Sequence, residues 1–217
     1  VCSSDLAARG FAATRNADFL KNYETDGATA DKSLEAFAGR TTRPEQKERA
    51  MRLKAELAAW RTRNDEIIAL ARERGIRLAC AESCTGGLLA AALTAVPGAS
   101  AVFNGGIVAY ANMVKERCLD VPPELLASCG AVSRECVLAM AAGAARRLEA
   151  ECALSISGIA GPEGGSADKP VGTVWFGLYC RGMLASRLCR FDGDRDAVRA
   201  AAVMTALALL LEGIADG

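Results

Sequence analysis

With 217 residues, half of them hydrophobic, the chain has material for one good-sized domain and an appendage. Lys plus Arg (26) balance Asp plus Glu (26), which argues against a nucleic-acid binder or a protein held at a membrane surface, and no uninterrupted apolar run is expected to span a bilayer. There is no His, and the nine cysteines include no CxxC pair, so every His-dependent triad is excluded and neither structural zinc nor any other metal is expected.

In chain order, the first six residues, VCSSDL, begin with Val and read like translated adapter oligonucleotide, so a non-native start is expected. No apolar signal-peptide core follows, and Cys80, Cys152 and Cys180 lie in apolar runs where free thiols act as small core hydrophobes. A reduced, cytoplasmic protein is the expectation. Residues 1–42 are rich in Ala, Gly, Thr, Asp and Lys. Their apolar members, Phe11, Phe19, Leu20, Tyr23 and Phe37, are dispersed, which predicts an irregular leader. A helical extension is expected over 43–64, because Pro44 suits a first helical turn and Glu45 to Arg74 are nearly all helix formers. Met51, Leu53, Leu57, Trp60, Ile67, Ile68 and Leu70 supply its apolar side, and the charges between them a solvated one. A break near Thr62–Asp65, with Asn64 or Asp65 capping a second helix that ends at Gly75, would open the main domain at 65–217.

The stretch IRLACAESCTGGLLAAAL, Ile76 to Leu93, reads as a short strand, a polar glycine turn and a helix stopped near Pro97-Gly98. In an α/β sheet such a turn falls at the carboxyl end of a strand, where ligands bind. Glu82, Ser83, Cys84, Thr85, Gly86 and Gly87 pack a carboxylate, hydroxyls, a thiol and helix-terminal N–H groups into six residues. A bare N-cap at Ser83 or Thr85 would leave the same trace. Ala101 to Tyr110 predicts a second strand, interrupted at Gly105-Gly106, and a helical turn over Asn112–Cys118 could bring Tyr110 and Lys115 to one cleft. Ser133 is placed to cap a helix over 135–149. Ala153 to Ile159 predicts a buried strand that leads into a second glycine loop, Ser157 to Gly165. Val171–Cys180 and Met183–Phe191 read as a hairpin around Arg181-Gly182, before a long helix from about Arg195 to Glu212. The order predicts a three-layer α/β/α sandwich with a mixed sheet, its parallel strands first and its antiparallel element later. Two glycine loops after two strands then converge at one sheet edge.

Neither loop carries GxGxxG or GxxxxGK[ST], and the acidic residues have no recognised ligand spacing, so no cofactor is expected. Nucleophilic chemistry fits better. Without His, a serine can be activated by a neutral lysine, which makes Ser83 and Lys115 the pair, with Cys84 as the rival nucleophile.

The motifs AESCTGG, VAYANMVK, GAVSRE, SISGIAGPEGG, KPVGTVWF and GDRDAVR, in this order, resemble the C-terminal domain of the CinA competence/damage-inducible proteins, over about Asp65 to Ile214. The resemblance is closest to the stand-alone nicotinamide-nucleotide amidohydrolases. It implies hydrolysis of nicotinamide mononucleotide to nicotinate mononucleotide and ammonia by a homo-oligomeric protein that takes a small nucleotide as substrate. The family's motif residues fall on Glu82, Ser83, Thr85 and Gly86, then on Tyr110, Asn112 and Lys115, with Ala111 where relatives often carry Ser. They fall further on Ser157, Gly158, Gly161 and Gly165, on Thr173, and on Arg195. The mechanism implied has Ser83 as nucleophile, Lys115 as base and Tyr110 orienting the lysine or protonating the leaving ammonia. Amides of Thr85-Gly86-Gly87 would hold the oxyanion, and the Ser157–Gly165 loop with Arg195 the phosphate. The two loops could exchange these tasks. A binding module of the same fold that recognises a nucleotide without turning it over is the alternative.

Overall fold

The computed structural model describes residues 27–216. The expectations for the first 26 residues lie outside that range. The chain divides between Thr62 and Arg63 into an N-terminal and a C-terminal unit. In the first, α1 (Gly27–Arg40) is a helix where an irregular course was predicted. Leu34, Phe37 and Ala38 stand at helical spacing, a local pattern diluted when residues 1–42 are weighed together. Leu34 and Ala50 are buried, and Lys54 pairs with Glu35. The helix α2 (Pro44–Glu73) starts at its proline as expected but runs without the predicted break. Asn64, read from the sequence as a cap, instead donates from its side-chain amide to the Ala92 carbonyl at 3.1 Å.

The C-terminal unit is built on five strands, β1 (Leu78–Glu82), β2 (Phe103–Val108), β3 (Cys152–Gly158), β4 (Thr173–Cys180) and β5 (Met183–Arg190), in the order β2-β1-β3-β4-β5. Pairing is parallel from β2 through β1 to β3 and antiparallel through β4 to β5, the predicted mixed sheet. One face carries α3 (Leu88–Thr94) and α7 (Arg195–Asp216). The other carries α6 (Arg134–Arg147), with α4 (Asn112–Leu119) and α5 (Pro123–Cys129) packed against it. The short helix α5 has no counterpart among the elements expected from the sequence.

The central strand β1 is buried along its whole length, because Ala79 and Ala81 pack with Cys136 and Met140 of α6 while Glu82 reaches the start of α3. The predicted interruption of β2 is a register shift, in which Leu78 pairs with Phe103 but Ala79 with Gly105. Ser133 caps α6 as expected, accepting from the Cys136 N–H at 3.2 Å, and Asp194 accepts from Ala197 N–H at 2.9 Å at the start of α7. Two expectations are corrected. By length and composition α7 could cross a membrane, where no such run was expected, and half of its apolar stretch is buried within the fold, Val198, Ala202, Val203, Ala206, Leu207, Leu210 and Ile214 among it. Cys152 and Cys180, read as separate core thiols, are partners in the β3–β4 ladder with Cα atoms 4.1 Å apart and their sulfur atoms against each other. Strand register, which a single sequence does not display, sets them face to face.

Candidate active site

The turn after β1 is held from inside by its own carboxylate. Glu82, 1% exposed, accepts from the N–H groups of Gly87 (3.1 Å) and Leu89 (3.0 Å) on one oxygen and from Ala90 (2.9 Å) on the other. These are orphan donors of the first turn of α3, so Glu82 works as an internal helix cap, and the substrate contact expected of it is not what its oxygens make. Gly86 closes the turn with its N–H on the Ser83 carbonyl at 3.1 Å, in a left-handed conformation (φ 63°) that a side chain would strain. The amides of Gly86 and Gly87 are therefore both engaged, against the expectation that they hold an oxyanion. Among the described residues, the turn's N–H groups with no backbone or carboxylate acceptor are those of Cys84, which lies against its own thiol, and Thr85.

Lys115 lies on α4, which follows β2, the neighbour of β1 in the sheet. It is 1% exposed and reaches Ser83 Oγ at 3.1 Å, the Ala109 carbonyl at 2.7 Å and the Tyr110 carbonyl at 3.2 Å. Among the described residues no carboxylate pairs with it. Burial holds its pKa below the ordinary lysine value. Two nearby thiols, Cys136 and Cys84, could restore its charge only as thiolates, and burial pushes both up to about 11, so near neutral pH they are uncharged. The same shift argues against Cys84 as nucleophile. Arg199 and Arg195 pull its pKa down, but burial outweighs them.

Tyr110 meets Lys115 through its carbonyl and not through its phenol. The ring is 60% exposed, and its hydroxyl accepts from Arg195 at 3.1 Å. Arg195 also donates to the Gly161 carbonyl at 2.9 Å, so the start of α7, the segment after β2 and the second glycine loop meet at one guanidinium. The strand before that loop, β3, holds the first turn at Ser83, whose N–H donates to the Ile156 carbonyl at 2.9 Å. The hydroxyl that opens the second loop, and the one that opens β4, are however spent on the fold. Ser157 Oγ donates to the Ala131 carbonyl at 2.7 Å, and Thr173 Oγ1 donates to the Pro170 carbonyl at 2.6 Å. Gly158, Gly161 and Gly165 each lie where a Cβ would press within 2.8 Å of Val171, Thr173 or Val174. Asn112, the first residue of α4, is exposed.

Two participants were not foreseen from the sequence. Arg199 donates to the Thr85 carbonyl at 3.0 Å, and Cys136 lies near Lys115. The first was findable, since Arg195 and Arg199 are one helical turn apart and share a face. The second depends on how α6 packs on the sheet.

A hydroxyl at the carboxyl end of a parallel strand, a buried lysine against it and two amides beside it can perform nucleophilic acyl chemistry. Comparison with known proteins gives the arrangement a family. The CinA C-terminal domain profile matches residues 61–214, and a CHASE3 domain profile matches residues 5–84. The CinA-like protein of Geobacter sulfurreducens is 53% identical over 138 residues, covering 64% of this chain and 33% of the relative. That of Dictyoglomus turgidum is 45% identical over 148 residues, 68% of this chain and 36% of the relative. The chain thus matches about a third of the length of these curated relatives. Among solved structures, the competence damage-inducible protein A of Klebsiella pneumoniae superposes with a TM-score of 0.70 at 42% identity, over 72% of this chain and 97% of that one. The competence/damage inducible protein CihA of Agrobacterium tumefaciens gives 0.69 at 43%, over 70% and 94%. Sequence profile and overall fold therefore agree, and this chain belongs to the CinA C-terminal domain family.

Proposed function

We propose that the protein hydrolyses the carboxamide of nicotinamide mononucleotide, giving nicotinate mononucleotide and ammonia through an acyl-enzyme on Ser83. The observation that carries this reading is the 3.1 Å approach of Lys115 Nζ to Ser83 Oγ in a buried setting with no carboxylate partner. A neutral amine has two N–H donors and one lone pair. The carbonyls of Ala109 and Tyr110 take the donors, which leaves the lone pair for the Ser83 hydroxyl. Burial supplies what a lysine base needs, a neutral form within reach of working pH.

In the first half-reaction Ser83 Oγ bonds to the carboxamide carbon as its proton passes to Lys115. The oxygen that becomes negative is held by the N–H groups of Cys84 and Thr85. The C–N bond then breaks, and the proton on Lys115 goes to the departing nitrogen, which leaves as ammonia. In the second half, water gives a proton to Lys115 and its oxygen to the acyl carbon. The C–Oγ bond breaks, nicotinate mononucleotide leaves, and Ser83 recovers its proton. Arg195, at the mouth between Tyr110 and Gly161, is the assigned phosphate ligand, with exposed Asn112 as a second polar contact. Tyr110 holds Lys115 through its carbonyl, and its ring frames the mouth.

Ammonia release from nicotinamide mononucleotide by the purified chain tests the reading. One ammonia per nicotinate mononucleotide is expected, with Ser83→Ala at background. Saturable binding of the nucleotide without turnover would replace the enzyme with a nucleotide-binding module.

A further inference from the structure

The helix α7 sends two arginines, one turn apart, to different places. Arg195 goes to the Gly161 carbonyl and the Tyr110 hydroxyl. Arg199 turns to the nucleophile turn itself. One of its terminal amino groups donates to the Thr85 carbonyl at 3.0 Å and lies 3.6 Å from where a Cβ on Gly86 would stand. The other is 3.7 Å from Asp196. Its Nε–H is fully buried with no partner, and so is the hydroxyl of Thr85. The Arg199 side chain is 20% exposed, its ion pair with Asp196 is a long one within the same helix, and its Nε–H finds no acceptor, so stability alone explains little of its placement. An apolar side chain of similar length would avoid its desolvation.

What Arg199 does reach is the one residue that carries both its hydrogen-bonded carbonyl and a free N–H beside the nucleophile. The turn between Glu82 and Gly87 is fixed at both ends and in the middle. Glu82 takes the Gly87 amide, the Ser83 carbonyl takes the Gly86 amide, and Arg199 holds the Thr85 carbonyl. Within this frame the N–H groups of Cys84 and Thr85 are left with no backbone or carboxylate acceptor. Holding the Thr85 carbonyl leaves its N–H only that residue's own φ and ψ in which to drift. We infer that Arg199 is a positioning residue, which clamps the Thr85–Gly86 peptide from α7 so that the Cys84 and Thr85 amides and Ser83 Oγ keep the geometry that acyl transfer needs. This rests on the reading of Ser83 as an activated nucleophile given above. Misplacing such a constellation by an ångström costs on the order of 10²-fold in rate.

The test compares Arg199→Ala and Arg199→Lys with the unsubstituted chain by three readouts. Steady-state ammonia release should fall about 10²-fold in kcat for Arg199→Ala with KM within about threefold, Arg199→Lys falling between, because a transition-state geometry is lost and not a substrate contact. The melting temperature should move by no more than a few degrees, since a partly exposed ion pair and one hydrogen bond have gone. Added guanidinium ion should restore part of the lost kcat in Arg199→Ala and none in Ser83→Ala. The third readout needs no nicotinamide nucleotide. A fluorophosphonate reagent labels an activated serine as Oγ bonds to phosphorus, fluoride departs and Lys115 takes the proton, and its labelling of Ser83 should slow in Arg199→Ala by a similar factor. A KM increase at unchanged kcat would make Arg199 a substrate ligand and overturn the inference. A kcat loss that tracks a fallen melting temperature and resists guanidinium would make it a structural residue and overturn the inference equally. Equal labelling rates would do so too. If the unsubstituted chain labels but releases no ammonia, the substrate reading fails alone and the labelling comparison still decides Arg199. If it labels no faster than Ser83→Ala, nucleophile and clamp fall together.

Discussion

After β1 the chain turns through Glu82–Gly87, and after β3, its neighbour in the sheet, through Ser157–Gly165. Both segments are glycine-rich, both follow buried parallel strands and both carry hydroxyls, so composition gives no reason to rank them. They differ in where their polar atoms end. In the second loop, Ser157 is committed to Ala131, and the glycines make room for Val171, Thr173 and Val174. In the first, Ser83 Oγ meets a buried amine, and two amides have no backbone or carboxylate acceptor. A glycine-rich loop is thus a packing device in one place and a chemical one in the other. The discriminating feature is the serine hydroxyl, which Ser157 gives to a backbone carbonyl while Ser83 sets it against a buried amine.

Removing the nucleophile is the harshest way to press this contrast. Ser83→Ala should lower kcat by about 10³-fold or more with native circular dichroism, while Cys84→Ala stays within about tenfold of the unsubstituted chain. Near-normal turnover by Ser83→Ala together with a dead Cys84→Ala would move the chemistry to the thiol.

Lys115 comes next. Lys115→Arg should be nearly inactive, because a guanidinium gives up no proton in the working range. The unsubstituted chain should show an ascending limb in kcat/KM below the ordinary lysine pKa. Stability carries the same signature with a definite sign. The folded pKa is depressed, so between it and the unfolded value the unfolded chain binds more protons, and stability should rise with pH across that window. Urea unfolding at a series of pH values should show this rise in the unsubstituted chain and its loss in Lys115→Met. Substantial turnover by Lys115→Arg with an unshifted pH profile would leave Lys115 as an electrostatic contact only.

The second loop should respond in stability before it responds in rate. A Cβ on Gly158 would stand 2.8 Å from the Thr173 carbonyl oxygen and 2.7 Å from Val174 Cγ2, so Gly158→Ala should cost about 1–3 kcal/mol, read as a lower urea midpoint. The smallest effect belongs to Ser157→Ala, about 1 kcal/mol with kcat almost unchanged. A Ser157→Ala variant that keeps its stability but loses turnover would erase the contrast between the loops.

Much of this was legible from residue order. Alternating apolar runs, Ser133 as a cap, Arg181-Gly182 as a hairpin turn and the missing His were enough for a mixed α/β sheet and a serine–lysine pair, because periodicity, caps and turns are local physics. The same locality hid α1, whose short helical pattern vanished in a longer irregular composition, and broke α2 at a polar stretch that the helix crosses without interruption. It also left the two glycine loops equal.

What only the tertiary structure decided is the assignment of each polar atom to a partner. Glu82 turns inward because α3 packs over the end of β1 and offers unpaired amides. The Tyr110 hydroxyl goes to Arg195 and its carbonyl to Lys115 because α4 and α7 approach that residue from different sides. Cys152 faces Cys180 by strand register, and Arg199 reaches Thr85 across 114 positions of chain. Residue types and spacing determine which groups a segment can offer. Which offers are taken depends on neighbours distant in sequence, and the site consists of the groups left over when that pairing is complete.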